Sequence, residues 1–296
     1  MRKFIRAATI GSLLVSGCNG SVMDGTSEPA IPENPPPLTS VAQIMPPLLD
    51  YSATFEEAAT ISNAEELLAA RCAARFGVTY EPDLTATALT TSMDISPRYG
   101  PIDPAWVAIH GYTPQAPEFS EGTPWDPSPE LLEVLYGEDA NGNRAKQKDH
   151  DGNPVNEFGC FGEARQELFV DNPYFGDLER FIEQGLGYAQ ERMAVDSRVV
   201  KAENDWVACM ATRGYSGDTY NAIVDENVTS EAPDGDLDFA MDDVACAQQV
   251  NLPGISYAVD SAYQERWLEE HGAELKTLHD GFEAGLERAK EVLSNR

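Results

Sequence analysis

The sequence is poor in basic residues. Lys and Arg together number 20 against 50 Asp and Glu, which gives a formal net charge of −30 at pH 7. This excludes nucleic acid as a partner, because nucleic-acid affinity depends on basic side chains that meet phosphates. An anionic lipid surface would also repel a domain of this charge. The acidity suits either a solvated surface that keeps the protein soluble or the binding of cations or basic ligands.

Familiar catalytic and cofactor-binding motifs are also missing. The chain has no Gly-x-Ser-x-Gly elbow, no His-Glu-x-x-His, no phosphate-binding loop and no Gly-x-Gly-x-x-Gly. None of its five cysteines stands in Cys-x-x-Cys spacing, which argues against zinc ribbons and thioredoxin chemistry. We therefore predict a non-enzymatic protein with no catalytic residue, no metal site and no cofactor.

No apolar run is long enough to span a bilayer. The apolar run at residues 7–15 is about half of the roughly 20 residues that a transmembrane helix needs. It follows three basic residues, at positions 2, 3 and 6, and it precedes small residues. A basic start, a short apolar core and a small-residue cleavage site are typical of a secretory signal peptide, so we predict one at residues 1–17.

The residues after this core, Val15-Ser16-Gly17-Cys18, resemble a lipobox, the site at which bacterial lipoproteins are lipidated and cleaved. The resemblance implies a lipid on the Cys18 thiol, joined through a thioether. We therefore expect a membrane-anchored protein that faces the extracytoplasmic side. An ordinary secretory signal with a chance cysteine is the alternative.

A proline-rich segment follows the lipidated cysteine. Seven prolines lie in residues 19–48. We predict a disordered tether at residues 18–50, which would reach roughly 90 Å if fully extended as polyproline II and nearer 30 Å as a coil. Such a tether would lift the domain away from the membrane.

The remaining sequence predicts a mainly α fold with long, irregular Pro- and Gly-rich loops. Cap and spacing signals predict helices that begin at Ser62, Pro104 and Pro129 and end near Gly77, Gly111 and Gly137. Further helices are predicted over 161–169, 175–214 (with a break around Gly185 and Gly187), 238–250 and 256–293. Apolar residues at intervals of three and four predict the last of these. Short strands are possible at 78–80 and 85–91.

A weak internal repeat suggests two diverged helical modules, at 51–185 and 186–296. Cys72 and Cys209 are each followed by Gly five residues later, the position at which a glycine ends a helix. Each is then followed by one further cysteine, Cys160 or Cys246. Disulfides are the default outside the cytoplasm.

The modular interpretation favours the local disulfides Cys72–Cys160 and Cys209–Cys246, because neighbours in sequence close the shortest loops. The alternative, Cys72–Cys209 with Cys160–Cys246, would suit a single fold that ties its two halves together.

Several short segments, in order, resemble a group of uncharacterised actinobacterial cell-envelope lipoproteins. They are Arg98-Tyr99-Gly100-Pro101, His110-Gly111-Tyr112, Tyr136-Gly137, Gly159-Cys160-Phe161-Gly162-Glu163-Ala164, Trp206 to Met210 with Gly214-Tyr215, and Asp243 to Cys246. Each segment alone is unspecific. The resemblance implies the kind of protein and carries no activity with it.

Other candidate residues have ordinary structural explanations. His271 and His279, with Glu270 or Glu274, share one helix face, but two turns separate the rings by roughly 12 Å, too far for one ion. The segments 139–143 and 149–153 resemble calcium loops, yet they lack the glycine and glutamate that such a loop needs. Glu163 and Glu167 stand one turn apart and could do acid–base chemistry if one were desolvated.

Aromatic residues on the long helices have a similar explanation. Trp206, Tyr188, Tyr263 and Trp267 are more typical of a core or interface than of a ligand box.

The function predicted from these observations is a surface-displayed binding or interaction domain of the cell envelope. Its partners would be the membrane, through the lipid, and an envelope protein or cell-wall component. A cell-wall or polysaccharide hydrolase that uses carboxylates is the alternative. A solute-binding component of a transporter would need two α/β lobes, and the helical pattern argues against them.

Overall fold

The computed structural model describes residues 27–84, 96–112, 127–138, 156–170, 176–228 and 237–295, with isolated positions between 141 and 153. These residues form nine α-helices and no strand, which confirms the predicted mainly α fold. The segment 78–80, a candidate strand, is irregular, and 85–91 lies outside the described residues. The helices are α1 Phe55–Arg75, α2 Pro104–His110, α3 Pro129–Tyr136, α4 Gly159–Leu168, α5 Gly176–Met193, α6 Ser197–Thr212, α7 Tyr220–Asn227, α8 Leu237–Val250 and α9 Leu252–Ser294.

The N-cap of helix α1 lies eight residues before the predicted cap, Ser62. Thr54 is its N-cap: the Thr54 hydroxyl accepts a hydrogen bond from Glu57 N, and the Glu57 carboxylate accepts one from Thr54 N at 2.8 Å. This reciprocal capping box satisfies two free donors at the helix start, which leaves Ser62 in the helix interior. The predicted end is confirmed, since the chain turns with positive φ at Gly77.

The predicted starts of α2 and α3 are confirmed. The Asp103 carboxylate accepts hydrogen bonds from two backbone amides of the first turn of α2, and the Ser128 hydroxyl accepts one from Leu131 N in α3. Proline follows each cap, where its missing N–H is not needed. Helix α3 ends at Gly137 in the left-handed conformation, as predicted.

The predicted helix break around Gly185 and Gly187 is wrong. Both glycines lie inside α5, and the chain breaks instead at residues 194–196, before α6. At Gly185 an added Cβ would come within 2.7 Å of Leu48 Cδ1 and Trp267 Nε1. Gly185 therefore serves close packing and does not end the helix.

Helix α9 is the organising element of the molecule. Its 43 residues span about 65 Å at 1.5 Å per residue. Leu275, Phe282 and Leu286 share one buried cluster with residues of α1, α4 and α5, while Leu252 belongs to a cluster with α6 and α8. Helix α9 therefore packs against both halves of the chain.

The predicted boundary between modules 51–185 and 186–296 is wrong. It falls inside α5, and helices on both sides of it pack against α9. The repeat at Cys72 and Cys209 does mark two helix ends, but the apolar surface of α9 joins both halves into one core.

Two disulfides form, and they are the local pair. Cys72 in α1 bonds to Cys160 in α4, with Cα atoms 5.5 Å apart, and Cys209 in α6 bonds to Cys246 in α8, with Cα atoms 5.7 Å apart. Each disulfide thus joins two helices that pack against each other. The predicted pairing is confirmed, but the two-module argument for it does not hold.

The proline-rich segment 27–51, here called the strap, is docked on the helices. Its side chains Leu38 and Leu48 are buried against the helices. The carbonyl oxygens of Pro29, Pro35 and Leu38 accept hydrogen bonds from side chains of α6, α8 and the turn before α9. The prediction of a disordered tether over 18–50 is therefore wrong for residues 27–50. A proline-rich chain has few N–H donors for its own carbonyls, so these carbonyls are free to accept from elsewhere.

Across the described ranges, no helix combines the length and the apolar character that crossing a membrane requires.

Candidate functional site

An open groove of about 780 Å³ lies between α1, α3 and α4. It combines aromatic rings with polar side chains, and concave surfaces of this kind are where ligands bind most often. Its lining residues are Glu65, Glu66, Tyr136, Glu138, Arg144, Asn156, Glu157, Phe158, Phe161, Gly162, Arg165, Gln166 and Arg180.

Glycines at the meeting point of α3 and α4 fix one wall of the groove. Gly137 ends α3 and Gly159 begins α4, both with positive φ. A Cβ at Gly159 would lie 2.6 Å from Gly137 N, and one at Gly137 would clash with the backbone of Glu157. The two backbones therefore touch directly. Since Cys160 is also bonded to Cys72, α4 is held to both α3 and α1.

Three aromatic rings line the groove. Tyr136 and Phe161 stack with centroids 5.3 Å apart, and the Arg144 guanidinium lies 4.0 Å from the centre of the Phe158 ring. Tyr136 and Phe158 are exposed by 43% and 45% of their surface. The exposed part of each ring offers a ligand flat apolar surface.

Charged groups of both signs surround these rings. The Glu65 carboxylate is buried and lies 3.0 Å from Arg165 Nε, and Arg144 Nη2 lies 3.2 Å from Glu138 Oε1. Burial raises the pKa of Glu65, although the Arg165 guanidinium opposes this shift. Glu66 accepts a hydrogen bond from the Tyr80 hydroxyl at 2.5 Å. The groove is therefore polar, and its carboxylates and guanidiniums largely offset each other.

A second polar cluster lies inside the core, between α6 and α8. The fully buried Asp243 carboxylate accepts hydrogen bonds from Trp206 Nε1 at 2.8 Å and from the Tyr112 hydroxyl. The ring of Tyr220 packs on Trp206, with centroids 4.6 Å apart. Burial raises the pKa of Asp243 to about 6, and the two hydrogen bonds act against this increase. Burial together with the negative carboxylate also raises the pKa of Tyr112.

A third polar cluster surrounds Asp260 in α9. Its Oδ2 accepts hydrogen bonds from the Tyr99 hydroxyl at 2.6 Å and from Gln264 Nε2 at 2.7 Å, and its Oδ1 lies 3.7 Å from Arg98 Nη2. Burial raises the pKa of Asp260. Gln264 also accepts a hydrogen bond from Leu48 N, so this cluster links α9 to the strap.

Segments of the lipoprotein resemblance meet each other in two of these places, and in the third one segment contacts Asp260. Tyr136-Gly137 meets Gly159 to Ala164 at the groove, and Arg98-Tyr99 meets Asp260. Tyr112, Trp206 and Asp243 come together in the core. Most of these residues therefore connect loops to helices. Those at the groove are also exposed to solvent.

The paired acids Glu163 and Glu167 are not brought together as an acid–base site. Glu163 forms an ion pair with Arg75 at 2.7 Å, beside the Cys72–Cys160 disulfide, and Glu167 is exposed. Glu163 thus ties α4 to α1.

The two histidines of α9 lie apart, each against aromatic rings. His271 packs on Trp267 with ring centroids 4.0 Å apart, and His279 meets the edge of Tyr51 at 6.0 Å. Over the described residues, no three His, Cys, Asp or Glu side chains are grouped as metal ligands. Five residues of the two acidic loops, 139, 140, 142, 149 and 150, lie outside the described residues, as does Cys18.

The remaining aromatic candidates are core or interface residues. Trp206 is fully buried, and Tyr188 packs against both Tyr263 and Trp267.

Sequence reasoning missed four buried acids: Glu65, Asp196, Asp243 and Asp260. A signal did exist for Asp243, which stands one turn from Phe239 and from Ala247 on the apolar face of α8. An acid at such a position has to find a buried partner. Glu65 stands three residues after Ser62, so the sequence favours a role for it in a capping box with that residue, and its burial was not predicted.

Comparison with known proteins gives no assignment: no family model matches the chain, and neither curated proteins nor solved structures yield a match.

Proposed function

We propose that this chain is an extracytoplasmic lipoprotein, held to the membrane by a lipid on Cys18, and that its helical domain binds a cell-wall component or envelope protein in the groove. The observation that carries the binding role is the pair of half-exposed rings, Tyr136 and Phe158, in a polar groove. We expect no nucleic-acid partner, because the chain has 50 acidic and only 20 basic residues, and nucleic-acid binding depends on basic side chains.

The groove suits an uncharged or mixed-charge ligand that has flat apolar faces. Tyr136 and Phe158 supply stacking surfaces, and Asn156 and Gln166 supply amide donors and acceptors. Carboxylates and guanidiniums in one groove can bond to hydroxyls or amides without a net charge on the ligand. Glycans and peptides of the cell wall have this chemistry.

A binding role is favoured over catalysis because the buried carboxylates already have internal partners. Asp243 accepts from Trp206 and Tyr112, and Asp260 accepts from Tyr99 and Gln264. A carboxylate held in this way inside the core has no access to substrate.

The anchor is tested by the Cys18→Ala variant. We expect it to lose globomycin-sensitive processing and to leave the membrane fraction, because the lipid is joined to this thiol. Detergent partitioning of the native protein and the variant measures the change. An unchanged membrane association of Cys18→Ala would contradict the proposal.

The groove is tested with purified cell-wall glycan and peptide fragments and with envelope extract, each added to the immobilised domain. Phe158→Ala and Tyr136→Ala should reduce the binding of whatever the native domain retains. Phe55→Ala is the matched control, since Phe55 is 51% exposed outside the groove. If all three variants bind as the native domain does, the groove is not the binding site.

Glu65 supports hydrolysis of a polysaccharide as a second candidate function. It is a desolvated carboxyl beside an open groove, and burial raises its pKa. A carboxyl whose pKa is raised can serve as a general acid. Glu65→Gln should abolish any release of reducing ends from cell-wall glycans while the fold remains intact by circular dichroism. Equal release by native protein and variant would contradict this candidate.

A further inference from the structure

Two buried polar side chains that face each other leave one donor and one acceptor unpaired. Arg98, in the short 3-10 helix Ser96–Tyr99, places Nη2 3.7 Å from Oδ1 of Asp260 in α9. Among the described residues, neither Arg98 Nε nor Asp260 Oδ1 has a hydrogen-bond partner. The side chain of Asp260 is fully buried and that of Arg98 is only 10% exposed. Because an unpaired polar atom inside a protein is unfavourable, a third group is needed to bond to both.

The other partners of these two side chains hold them apart. Arg98 Nη2 donates to the carbonyl oxygen of Leu186 in α5 at 2.6 Å. Asp260 Oδ2 accepts hydrogen bonds from the Tyr99 hydroxyl at 2.6 Å and from Gln264 Nε2 at 2.7 Å. The guanidinium is therefore fixed on α5 and the carboxylate on the loop and α9. Their separation of 3.7 Å is too long for a direct hydrogen bond.

Water is the molecule whose chemistry fits this position. It can accept a hydrogen bond from Arg98 Nε and donate one to Asp260 Oδ1, whereas the guanidinium would repel a cation and the carboxylate an anion. Two hydrogen bonds of about 2.9 Å each bridge a separation of nearly 6 Å. Buried waters typically bond to about three polar groups that otherwise lack partners. Burial raises the pKa of Asp260, and a further donor at Oδ1 favours its charged form.

We propose that one ordered internal water molecule is bound between Arg98 and Asp260 as a fixed part of the folded protein. Its oxygen accepts from Arg98 Nε, and one of its hydrogens is donated to Asp260 Oδ1. The site lies in the core and is independent of both the groove and the lipid on Cys18.

This water completes a continuous chain of hydrogen bonds from the strap to α5. The Leu48 amide of the strap donates to Gln264 Oε1 at 3.2 Å, and Gln264 Nε2 donates to Asp260 Oδ2. The water joins Asp260 to Arg98, which in turn donates to Leu186 O. The docking of the strap at Leu48 therefore depends on Arg98 as well as on Gln264.

A high-resolution crystal structure of the native protein tests the site directly. We expect density for a water molecule about 2.7 to 3.2 Å from both Arg98 Nε and Asp260 Oδ1. A direct hydrogen bond between the two side chains, or no water density at this position, would overturn the proposal.

Magnetic relaxation dispersion of water oxygen nuclei counts long-lived internal waters in solution. Arg98→Met replaces Nε by a methyl group that cannot donate, so this variant should hold one long-lived water fewer than the native protein. Arg192→Met is the matched control, because Arg192 is an exposed arginine of α5 that lies over the Tyr188 ring at 5.5 Å. It should hold the native number. An unchanged number in folded Arg98→Met contradicts the site, and the native crystal structure decides the question if that variant does not fold.

Hydrogen exchange at the Leu48 amide tests the link to the strap. Exchange should be several-fold faster in Arg98→Met than in the native protein, because Asp260 and then Gln264 lose support. Arg192→Met should exchange at the native rate. Equal rates in Arg98→Met and the native protein would overturn the link between the water and the strap.

Discussion

At the scale of single residues, buried carboxylates connect loops to helices in this protein. Asp243 and Asp260 each accept a hydrogen bond from a tyrosine that lies outside their own helix, Tyr112 and Tyr99 respectively. A buried charge is unfavourable without such partners, and here desolvation still outweighs them, since the pKa of both carboxyls is raised. The protonated form of each is therefore favoured by folding.

The raised pKa of Asp243 predicts that the stability of the protein depends on pH. Its pKa is about 6 in the folded protein against 3.8 for an ordinary Asp, so the folded state binds more protons between these values. The contribution of Asp243 to the free energy of unfolding should therefore fall as pH rises from 4 to 7, by about 2 kcal/mol.

Urea denaturation of the native protein and of Asp243→Asn at several pH values measures this contribution. Because Asn does not ionise, the stability of the native protein relative to the variant should decline with rising pH. A relative stability that stays constant from pH 4 to pH 7 would contradict the raised pKa.

At the scale of the helices, local signals were sufficient to predict most starts and ends. Asp103-Pro104 and Ser128-Pro129 begin helices because both the cap and the proline act within one turn. Ser62 was misleading because the same kind of box, at Thr54, stands in front of it. Helix α7, capped by Thr219, was missed because its eight residues are too few to show a clear period.

Gly185 and Gly187 provide a matched test of packing inside α5. Ala at 185 would place a Cβ 2.7 Å from Leu48 and Trp267, whereas Ala at 187 would meet nothing within 4 Å. Gly187→Ala should stabilise the protein by up to about 1 kcal/mol through helix propensity. Gly185→Ala should destabilise it by about 1 to 3 kcal/mol through overpacking. Thermal unfolding of both variants measures the difference, and shifts of the same sign would contradict it.

The disulfides predict a selective change in thiol reactivity. Cys160→Ser should leave Cys72 free to alkylation, with Cys209 and Cys246 still protected, because the bonds are local. Loss of the bond that spans 88 residues should reduce stability by about 4 to 5 kcal/mol in the chain-entropy account. Mass spectrometry after alkylation identifies the free thiol. Alkylation of Cys209 in this variant would show that the bonds exchange.

At the scale of the whole molecule, the structure departs most from the sequence-based prediction in the strap. Seven prolines without periodicity predict disorder, and the one local signal against it, the capping box of Ser40 and Gln43, starts only a three-residue 3-10 helix. The side-chain hydrogen bonds that hold the strap on the helices come from residues more than 160 positions away, such as Ser197 and Gln264. Groove residues such as Glu65 and Phe158 were missed for the same reason, because they come together only through α1, α3 and α4.

Because the strap is docked, we expect two of its side chains, Leu48 and Met45, to contribute very differently to the free energy of unfolding. Leu48 is fully buried, and its amide donates to Gln264 Oε1 at 3.2 Å, whereas Met45 is 72% exposed. Leu48→Ala should destabilise the protein by about 2 to 5 kcal/mol, and Met45→Ala should change stability by less than about 0.5 kcal/mol. Denaturant unfolding of the two variants gives these values.

Hydrogen exchange provides an independent measurement of the same docking. The Leu48 amide of the native protein should exchange slowly, as amides in the helices do. Exchange of Leu48 at the rate of an unstructured peptide would contradict a docked strap.

The position of the strap has a mechanical consequence. Both disulfides enclose residues that follow Cys72, so neither closes around the segment 27–51. A pulling force on the N-terminal end would load the hydrogen bonds at Arg266 and Arg198 first, and then the buried side chain of Leu48. Under tension the strap can therefore detach from the helices and lengthen the chain, while the two disulfides hold the helical body together.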